Sequence, residues 1–142
     1  MRYLAASPAL VKSRPPVKEP ANLKSWPWLV LSGAQFGVFD KVTLSSPKRA
    51  EQSIPMKPVL VSEGVTSLRE AARAGLGIAV LPDWLIREDI LSGRLVRVLP
   101  QWNAKVLSCH VVYQGHRMLP VRVRTFIDFA VTYMTTELRS KE

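Results

Sequence analysis

Apolar residues recur at helical spacing near the C-terminal end of the chain. Seven of them between positions 123 and 138 follow the i, i+3, i+4, i+7 pattern of one helix face, and Pro120 precedes them as a residue suited to a helix start. They are Val123, Phe126, Ile127, Ala130, Val131, Met134 and Leu138. The pattern predicts an amphipathic helix that needs a partner for its apolar face.

Shorter apolar runs along the rest of the chain predict strands. The clearest predicted strands are 2–6, 28–32, 57–62, 94–100 and 106–113, with another expected within 36–46. The Pro-rich stretch 14–27 and the polar stretch 46–55 are expected to be irregular.

The stretch "SLREAARAGLGIAVLPDWL", residues 67–85, predicts a helix followed by a buried strand. Ser67 and Glu70 have the spacing of a capping box, and Leu68, Ala71 and Ala72 lie on one helix face. Gly75 is suited to the helix end, and the run "GIAVLP" is typical of a strand that is buried on both faces.

A second helix is expected from Asp83, as its N-cap, to Ser92, with Gly93 at its end. Strand and helix therefore alternate between residues 57 and 100. This alternation predicts an α/β fold with a mostly parallel central sheet flanked by helices and with right-handed crossovers.

Length, composition and charge limit the class of protein to which the chain can belong. The chain has 142 residues, 47% of them hydrophobic, which is enough for one globular domain. No apolar run reaches the ~20 residues that cross a bilayer, and the single cysteine, Cys109, favours a reducing compartment, so we expect a cytoplasmic protein without membrane contact. The net charge of +9 is scattered along the chain and is not clustered, which argues against direct nucleic-acid binding.

The chain offers little catalytic chemistry. Cys109 and His110 are adjacent on a predicted strand and point to opposite faces, and His116 has no partner at metal-ligand spacing. The carboxylates Glu70, Asp83, Glu88 and Asp89 are interpreted as helix caps and a solvated helix face. Gly75 and Gly77 precede a strand, whereas a dinucleotide-binding loop follows one. We therefore expect no enzyme, no metal and no cofactor.

A binding site is the stronger hypothesis. Thr66 and Ser67 lie where strand 57–62 leads into a helix, and the free N–H groups of a helix start favour an anion. Ser32 ends another strand, and ligands of open α/β sheets bind outside such strand ends. With Phe36, which lies in the predicted turn after Ser32, these residues form the predicted ligand-binding set. The alternative is that Ser67 and Glu70 only cap the helix.

Three segments resemble the effector-binding domain of LysR-type transcriptional regulators. They are "RYLAASPALV" at the start, "VTSLREAARAGLGIAVLPDWLIREDILSGRLVRVLPQW" in the middle and "HVVYQGHRMLPVRVRTFIDFAV" near the end. The resemblance implies a type 2 periplasmic-binding-protein-like fold, in which two subdomains enclose a small-molecule cleft. Strands 2–6 and 107–113 would be its hinge strands, 1–115 its second subdomain, and 116–142 the return segment and helix of a first subdomain that is mostly absent.

The same resemblance implies a function. The chain would sense a small, anionic effector, and DNA would be bound only through an N-terminal helix-turn-helix that lies outside this chain. Homo-oligomers would form through the C-terminal helix (Phe126, Ile127, Met134) or through helix 67–74 (Leu68, Ala71, Ala72), although the latter three suit the core equally well. The alternatives are a fragment of a transporter's solute-binding protein, a small enzyme and a direct nucleic-acid binder.

Overall fold

The chain forms two compact units. The structure, a computed structural model, describes residues 1–33, 37–38, 40–47, 49–105, 112 and 120–139. The units are Met1–Val106 and Leu107–Glu142. The boundary predicted at 115/116 and the predicted hinge strand 107–113 fall outside the described residues, Val112 excepted, so both stay predictions.

The described part of the first unit contains nine short strands, three α-helices and one 3₁₀ helix. In chain order they are β1 (Arg2–Ala6), α1 (Pro8–Lys12), a 3₁₀ helix (Pro20–Ser25), β2 (Trp28–Gly33), β3 (Gly37–Val38), β4 (Lys41–Ser46), β5 (Arg49–Pro55), β6 (Pro58–Ser62), α2 (Val65–Arg73), β7 (Ile78–Pro82), α3 (Asp83–Leu91), β8 (Val96–Arg97) and β9 (Asn103–Ala104). The second unit contributes α4 (Val121–Arg139).

The strands form one mixed sheet in the order β3-β2-β7-β1-β9-β4-β5, with β6 beside β2 and β8 beside β1. The α/β class is confirmed, but the prediction of a mostly parallel sheet is wrong. Only β2 pairs in parallel among the described strands, with β6 and with β7, and the other pairings are antiparallel. The central strand β1 is antiparallel to β7, β8 and β9, so the strand direction changes in the middle of the sheet.

The composition of the polar stretch 46–55 predicted an irregular segment, and this prediction is wrong. The stretch contains β5, which pairs antiparallel with β4, and Ser46 faces Arg49 across a short turn. Such a turn can join only antiparallel strands. Charged residues on an outer strand discourage pairing with other chains, so this composition is also typical of a sheet edge.

Two hydrophobic clusters cover opposite faces of the sheet. Successive residues of β1 alternate between them, because Leu4 and Ala6 belong to one cluster and Ala5 to the other. The first cluster includes Leu23 of the 3₁₀ helix, and the second includes apolar residues of α2 and α3. Burial on both faces explains why the run "GIAVLP" is continuously apolar.

The C-terminal end of α2 confirms the role predicted for Gly75. Gly75 has a φ of +81° and its N–H donates to the carbonyl of Ala72, while the N–H of Leu76 donates to the carbonyl of Ala71. These two bonds form a Schellman motif, in which glycine supplies the left-handed residue. The pattern "AGLG" therefore begins as a helix end and not as a phosphate-binding loop.

The N-terminal ends of α2 and α3 differ from the predicted caps. Gly64 is the N-cap of α2, so Ser67 lies inside the first turn and forms no capping box with Glu70. Pro82 is the N-cap of α3, and Asp83 is its first helical residue. The Asp83 carboxylate instead accepts a hydrogen bond from Arg87 at 2.9 Å, one turn further along the helix.

The predicted C-terminal helix is confirmed as α4, and its apolar residues are largely exposed. Phe126 and Met134 are exposed, and Ile127 is partly buried. Phe129 and Tyr133 stack on each other with ring centroids 5.8 Å apart. The predicted role of this helix in oligomerisation stays a prediction.

Candidate functional site

One edge of the sheet combines two strand ends with a helix start. β2 and β6 are parallel neighbours, and Leu31 faces Ser62 in their register. Ser32 follows Leu31, and the chain leaves Ser62 through Glu63 and Gly64 into α2. Because neighbouring strands lie about 4.8 Å apart, the carboxyl ends of β2 and β6 form a common edge beside the start of α2. This region is the candidate effector edge.

The first turn of α2 presents backbone donors at this edge. The N–H of Leu68 donates to the Gly64 carbonyl at 3.3 Å and closes the first helical turn. The N–H groups of Val65, Thr66 and Ser67 precede that bond, so helix geometry gives them no carbonyl within α2. No side chain caps this helix start in the described part of the chain. The helix start therefore combines a partial positive charge with free donors.

The loop before α2 is held by a serine. The hydroxyl of Ser62 accepts a hydrogen bond from the Gly64 N–H at 3.2 Å, and it lies 3.4 Å from the Gly64 carbonyl oxygen. Ser62 is partly buried, and these contacts were not predicted from the sequence. A serine two residues before a glycine cap is a local signal that could have indicated such a turn.

The predicted effector-binding residues meet at this edge in part. Ser32 precedes Gly33, the last residue of β2, and is partly buried. Thr66 and Ser67 are exposed in the first turn of α2. Phe36 lies outside the described residues. Glu63 is exposed in the connecting loop, so one carboxylate flanks the free N–H groups. An anionic ligand would bind against the repulsion of this group.

A buried carboxylate lies on the inner side of α2 and α3. Asp89 has no exposed surface, although its sequence context predicted a solvated helix face, so that interpretation is wrong. One carboxylate oxygen accepts a hydrogen bond from Arg69 Nε at 2.5 Å, and the other accepts one from Arg94 Nε at 2.8 Å. Arg73 Nε lies 3.7 Å from the carboxylate. We name these four residues the Asp89 cluster.

Opposing effects set the protonation of this cluster. Burial acts to raise the pKa of Asp89, but hydrogen bonds from Arg69 and Arg94 and the charges of Arg69 and Arg73 outweigh it and lower the pKa below its ordinary value. The hydrogen bond to Asp89 raises the pKa of the Arg69 guanidinium. Asp89 is therefore ionised at neutral pH and ties α2 to α3 and to the segment after α3.

An open cleft of about 570 Å³ adjoins the Asp89 cluster. Its lining includes Ser7, Gly75, Glu70, Arg73 and Arg94. The two arginines are already bound to carboxylates, Arg73 to Glu70 at 3.0 Å and Arg94 to Asp89. The cleft thus faces a largely neutralised wall, and its residues are not those of the candidate effector edge.

Leu68, Ala71 and Ala72 are buried, and they pack in the cluster formed with the sheet. Of the two roles considered for them, the structure favours the core over an interface with another chain. Their burial leaves Thr66, Ser67 and Glu70 as exposed residues of α2.

The described residues contain no group of three or more His, Cys, Asp and Glu side chains arranged to hold a metal ion. Among the helices in the described ranges, none is both long and apolar enough to cross a membrane. Cys109, His110 and His116 lie outside the described residues, so their predicted lack of catalytic geometry stays a prediction.

Comparison with known proteins identifies relatives of the chain among bacterial regulators. It is 29% identical over 126 residues to the HTH-type transcriptional regulator PtxR of Pseudomonas aeruginosa, covering 87% of this chain and 38% of that protein. It is 30% identical over 121 residues to an uncharacterised HTH-type regulator of Haemophilus influenzae, covering 85% of this chain and 41% of that protein. The chain thus spans less than half the length of these relatives.

Solved regulatory domains have the same fold. The regulatory domain of AphB from Vibrio vulnificus superposes with a TM-score of 0.64 at 29% identity, over 93% of this chain and 64% of that domain. The regulatory domain of CrgA from Neisseria meningitidis gives a TM-score of 0.62 at 20% identity, over 93% of this chain and 63% of that domain, and shows the fold alone.

These relatives are transcriptional regulators and not enzymes, and the alternative of a transporter fragment finds no support among them. The family model for the LysR substrate binding domain matches residues 2–135, which is nearly the whole chain. The chain therefore belongs to the LysR substrate-binding domain family, as its sequence motifs predicted.

Proposed function

We propose that this chain is the effector-sensing part of a LysR-type transcriptional regulator and that its ligand is a small anion bound at the candidate effector edge. The free N–H groups at the start of α2 are the observation on which the proposal rests most directly. The hydroxyls of Thr66, Ser67 and Ser32 supply further hydrogen-bond donors of the kind that a carboxylate accepts.

Regulation would follow from the position of this edge. The predicted hinge strand is β1, which lies in the middle of the sheet. The cleft that the family resemblance implies would open between this unit and another subdomain. A ligand that binds both walls of such a cleft favours the closed arrangement by its differential affinity. The closed arrangement would then change how attached DNA-binding domains lie on a promoter. We propose the cytoplasm as the site of this activity.

The proposal predicts a specific loss of anion binding when Thr66 is changed to valine. Valine has the shape of threonine without its hydroxyl, so one hydrogen bond to the anion is lost and the Kd for a small carboxylate should rise about tenfold. Succinate, measured by calorimetry on the full chain at constant ionic strength, is the probe. The Ser13→Ala variant is the matched control, since Ser13 is an exposed serine at the end of α1.

Removing the charge of the flanking carboxylate, Glu63, should strengthen succinate binding. Glu63→Gln removes a negative charge beside the helix start, so succinate should bind about twofold more tightly. Equal succinate affinity of the native chain, Thr66→Val and Glu63→Gln would contradict the proposed site, and absence of any succinate or phosphate binding would contradict the anionic ligand.

A further inference from the structure

The outer face of α3 has two exposed apolar side chains. Trp84 is 61% exposed and Leu91 is 82% exposed. Arg87 and Glu88 lie between them in sequence and are also exposed. Residues at i, i+3, i+4 and i+7 share one face of a helix, so these four side chains form a single strip, which we name the α3 strip.

The other face of α3 is fully used. Ile86 and Asp89 are buried, and Leu85 and Ile90 pack against the hydrophobic cluster below the helix. The α3 strip therefore has no role in holding α3 on its own sheet. Tryptophan and arginine, which both lie on this strip, are enriched among the residues that contribute most to protein–protein contacts.

The order of residues in the α3 strip is self-complementary. Two copies of α3 can pack antiparallel about a two-fold axis that passes midway between positions 87 and 88. Trp84 of each copy then faces Leu91 of the other copy, and Arg87 of each copy faces Glu88 of the other copy. An isologous contact requires one surface to complement itself in this way. Opposite charges at the centre and apolar groups at both ends meet that requirement. Arg87 also pairs with Asp83 of its own helix at 2.9 Å, but a guanidinium has five N–H groups and so keeps donors for Glu88 of the second copy.

We propose that the α3 strip binds the α3 strip of a second copy of this chain. A helix of nine residues is about 13 Å long, so the contact buries far less than the ~1,200 Å² of a stable interface. It is a weak contact, with a Kd of about 0.1–1 mM. Such a contact becomes effective where another interface already holds two or more copies together, because their effective concentration is then high.

Charge reversal tests this pairing by mixing. The Arg87→Glu chain has two acids at the centre of the strip and the Glu88→Arg chain has two bases, so neither pairs with itself. An equimolar mixture of the two should associate at least as strongly as the native chain, because each acid then faces a base. Sedimentation equilibrium of the full chains measures all three samples. Trp84→Ala should weaken native association about tenfold by removing the largest apolar contact.

The controls separate this contact from other modes of association. Arg49 and Glu51 are exposed on β5, and the Arg49→Glu and Glu51→Arg chains carry the same charge changes away from α3. Both should associate like the native chain, alone or mixed. Circular dichroism should show that the α3 variants keep the native helix content, because all four positions are exposed. Arg87→Glu should melt slightly earlier than the others because it loses its ion pair with Asp83. The proposal is overturned if the native chain stays monomeric at millimolar concentration, if either single charge variant self-associates normally, or if the mixture fails to recover association.

Discussion

Replacing Asp89 with alanine should lower the free energy of unfolding by roughly 3 kcal/mol, at the lower end of the range for breaking a buried ion pair. The carboxylate has no exposed surface and binds Arg69 and Arg94, with Arg73 near them. Its removal leaves three arginines close together, with the exposed Glu70 carboxylate as a weaker counter-ion. The arginines keep part of their contact with water, which limits the loss.

Urea denaturation of the Asp89→Ala chain measures this loss at neutral pH. Glu70→Ala is the matched control, because the Glu70 carboxylate also pairs with Arg69 and Arg73 but its side chain is 54% exposed. The control should cost less than about 1 kcal/mol. Equal losses for the two variants would mean that burial of Asp89 contributes nothing to the strength of the cluster.

The stability that the Asp89 carboxylate contributes should depend on pH. The pKa of Asp89 is lower in the folded chain than the value of about 3.9 for an unfolded aspartate. The folded state therefore favours the ionised form, and the stability that this provides is complete above about pH 5. It is lost as the pH falls below about 4 and passes through the lowered pKa. The difference in stability between the native chain and Asp89→Ala should shrink over that acidic range.

Replacing Gly77 with alanine should lower the free energy of unfolding by about 3 kcal/mol, at the upper end of the cost of overpacking. A Cβ on Gly77 would lie 2.6 Å from the Pro27 carbonyl oxygen and 2.9 Å from Leu29 Cγ. The same carbonyl accepts the N–H of Ile78 at 2.8 Å, so the clash involves backbone that pairs β2 with β7. The two strands would have to move apart.

Gly93→Ala is the control for this substitution. Gly93 has a φ of +72°, and no atom lies within 4 Å of a Cβ placed there. Its cost should be about 1 kcal/mol and should come only from the left-handed backbone. A Gly77→Ala chain as stable as Gly93→Ala in thermal denaturation would show that the close approach at Gly77 is not required.

Apolar patterns in the sequence predicted the positions of β1, β2, β6, α2 and α4. Of these elements, β1, β2 and α2 bury apolar residues, whereas β6 and α4 leave most of theirs exposed. Strand direction was not predictable in the same way. The reversal of β1 within the sheet depends on pairing between segments that are distant in sequence, and local pattern contains no information on it.

Charged residues were the weakest point of the sequence interpretation. Asp89 was expected on a solvated face because it lies among Arg87, Glu88 and Ser92. Its burial depends on arginines from α2 and from the segment after α3, which only the folded chain brings together. A signal did exist, since Arg69 and Arg73 share one helix face at a spacing of four residues.

The candidate effector edge could be predicted in outline from two strand ends and a helix start. The position of the helix start could not, because Thr66 and Ser67 offer a better cap by residue type than Gly64. The structure places both hydroxyls within the first turn and leaves the cap to glycine. This difference matters for function, since a serine or threonine that caps its own helix would compete with a ligand for the free N–H groups.

Amide chemical-shift mapping with succinate tests whether the start of α2 is the effector site. In two-dimensional ¹H–¹⁵N spectra of the full chain, succinate should shift the backbone amides of Val65, Thr66 and Ser67 in a saturable manner, together with that of Ser32. Chloride, added at the same concentration of negative charge, should not shift these amides. Saturable shifts confined to Arg73 and Arg94 at the open cleft, or shifts spread evenly over the basic surface, would contradict an effector site at the start of α2.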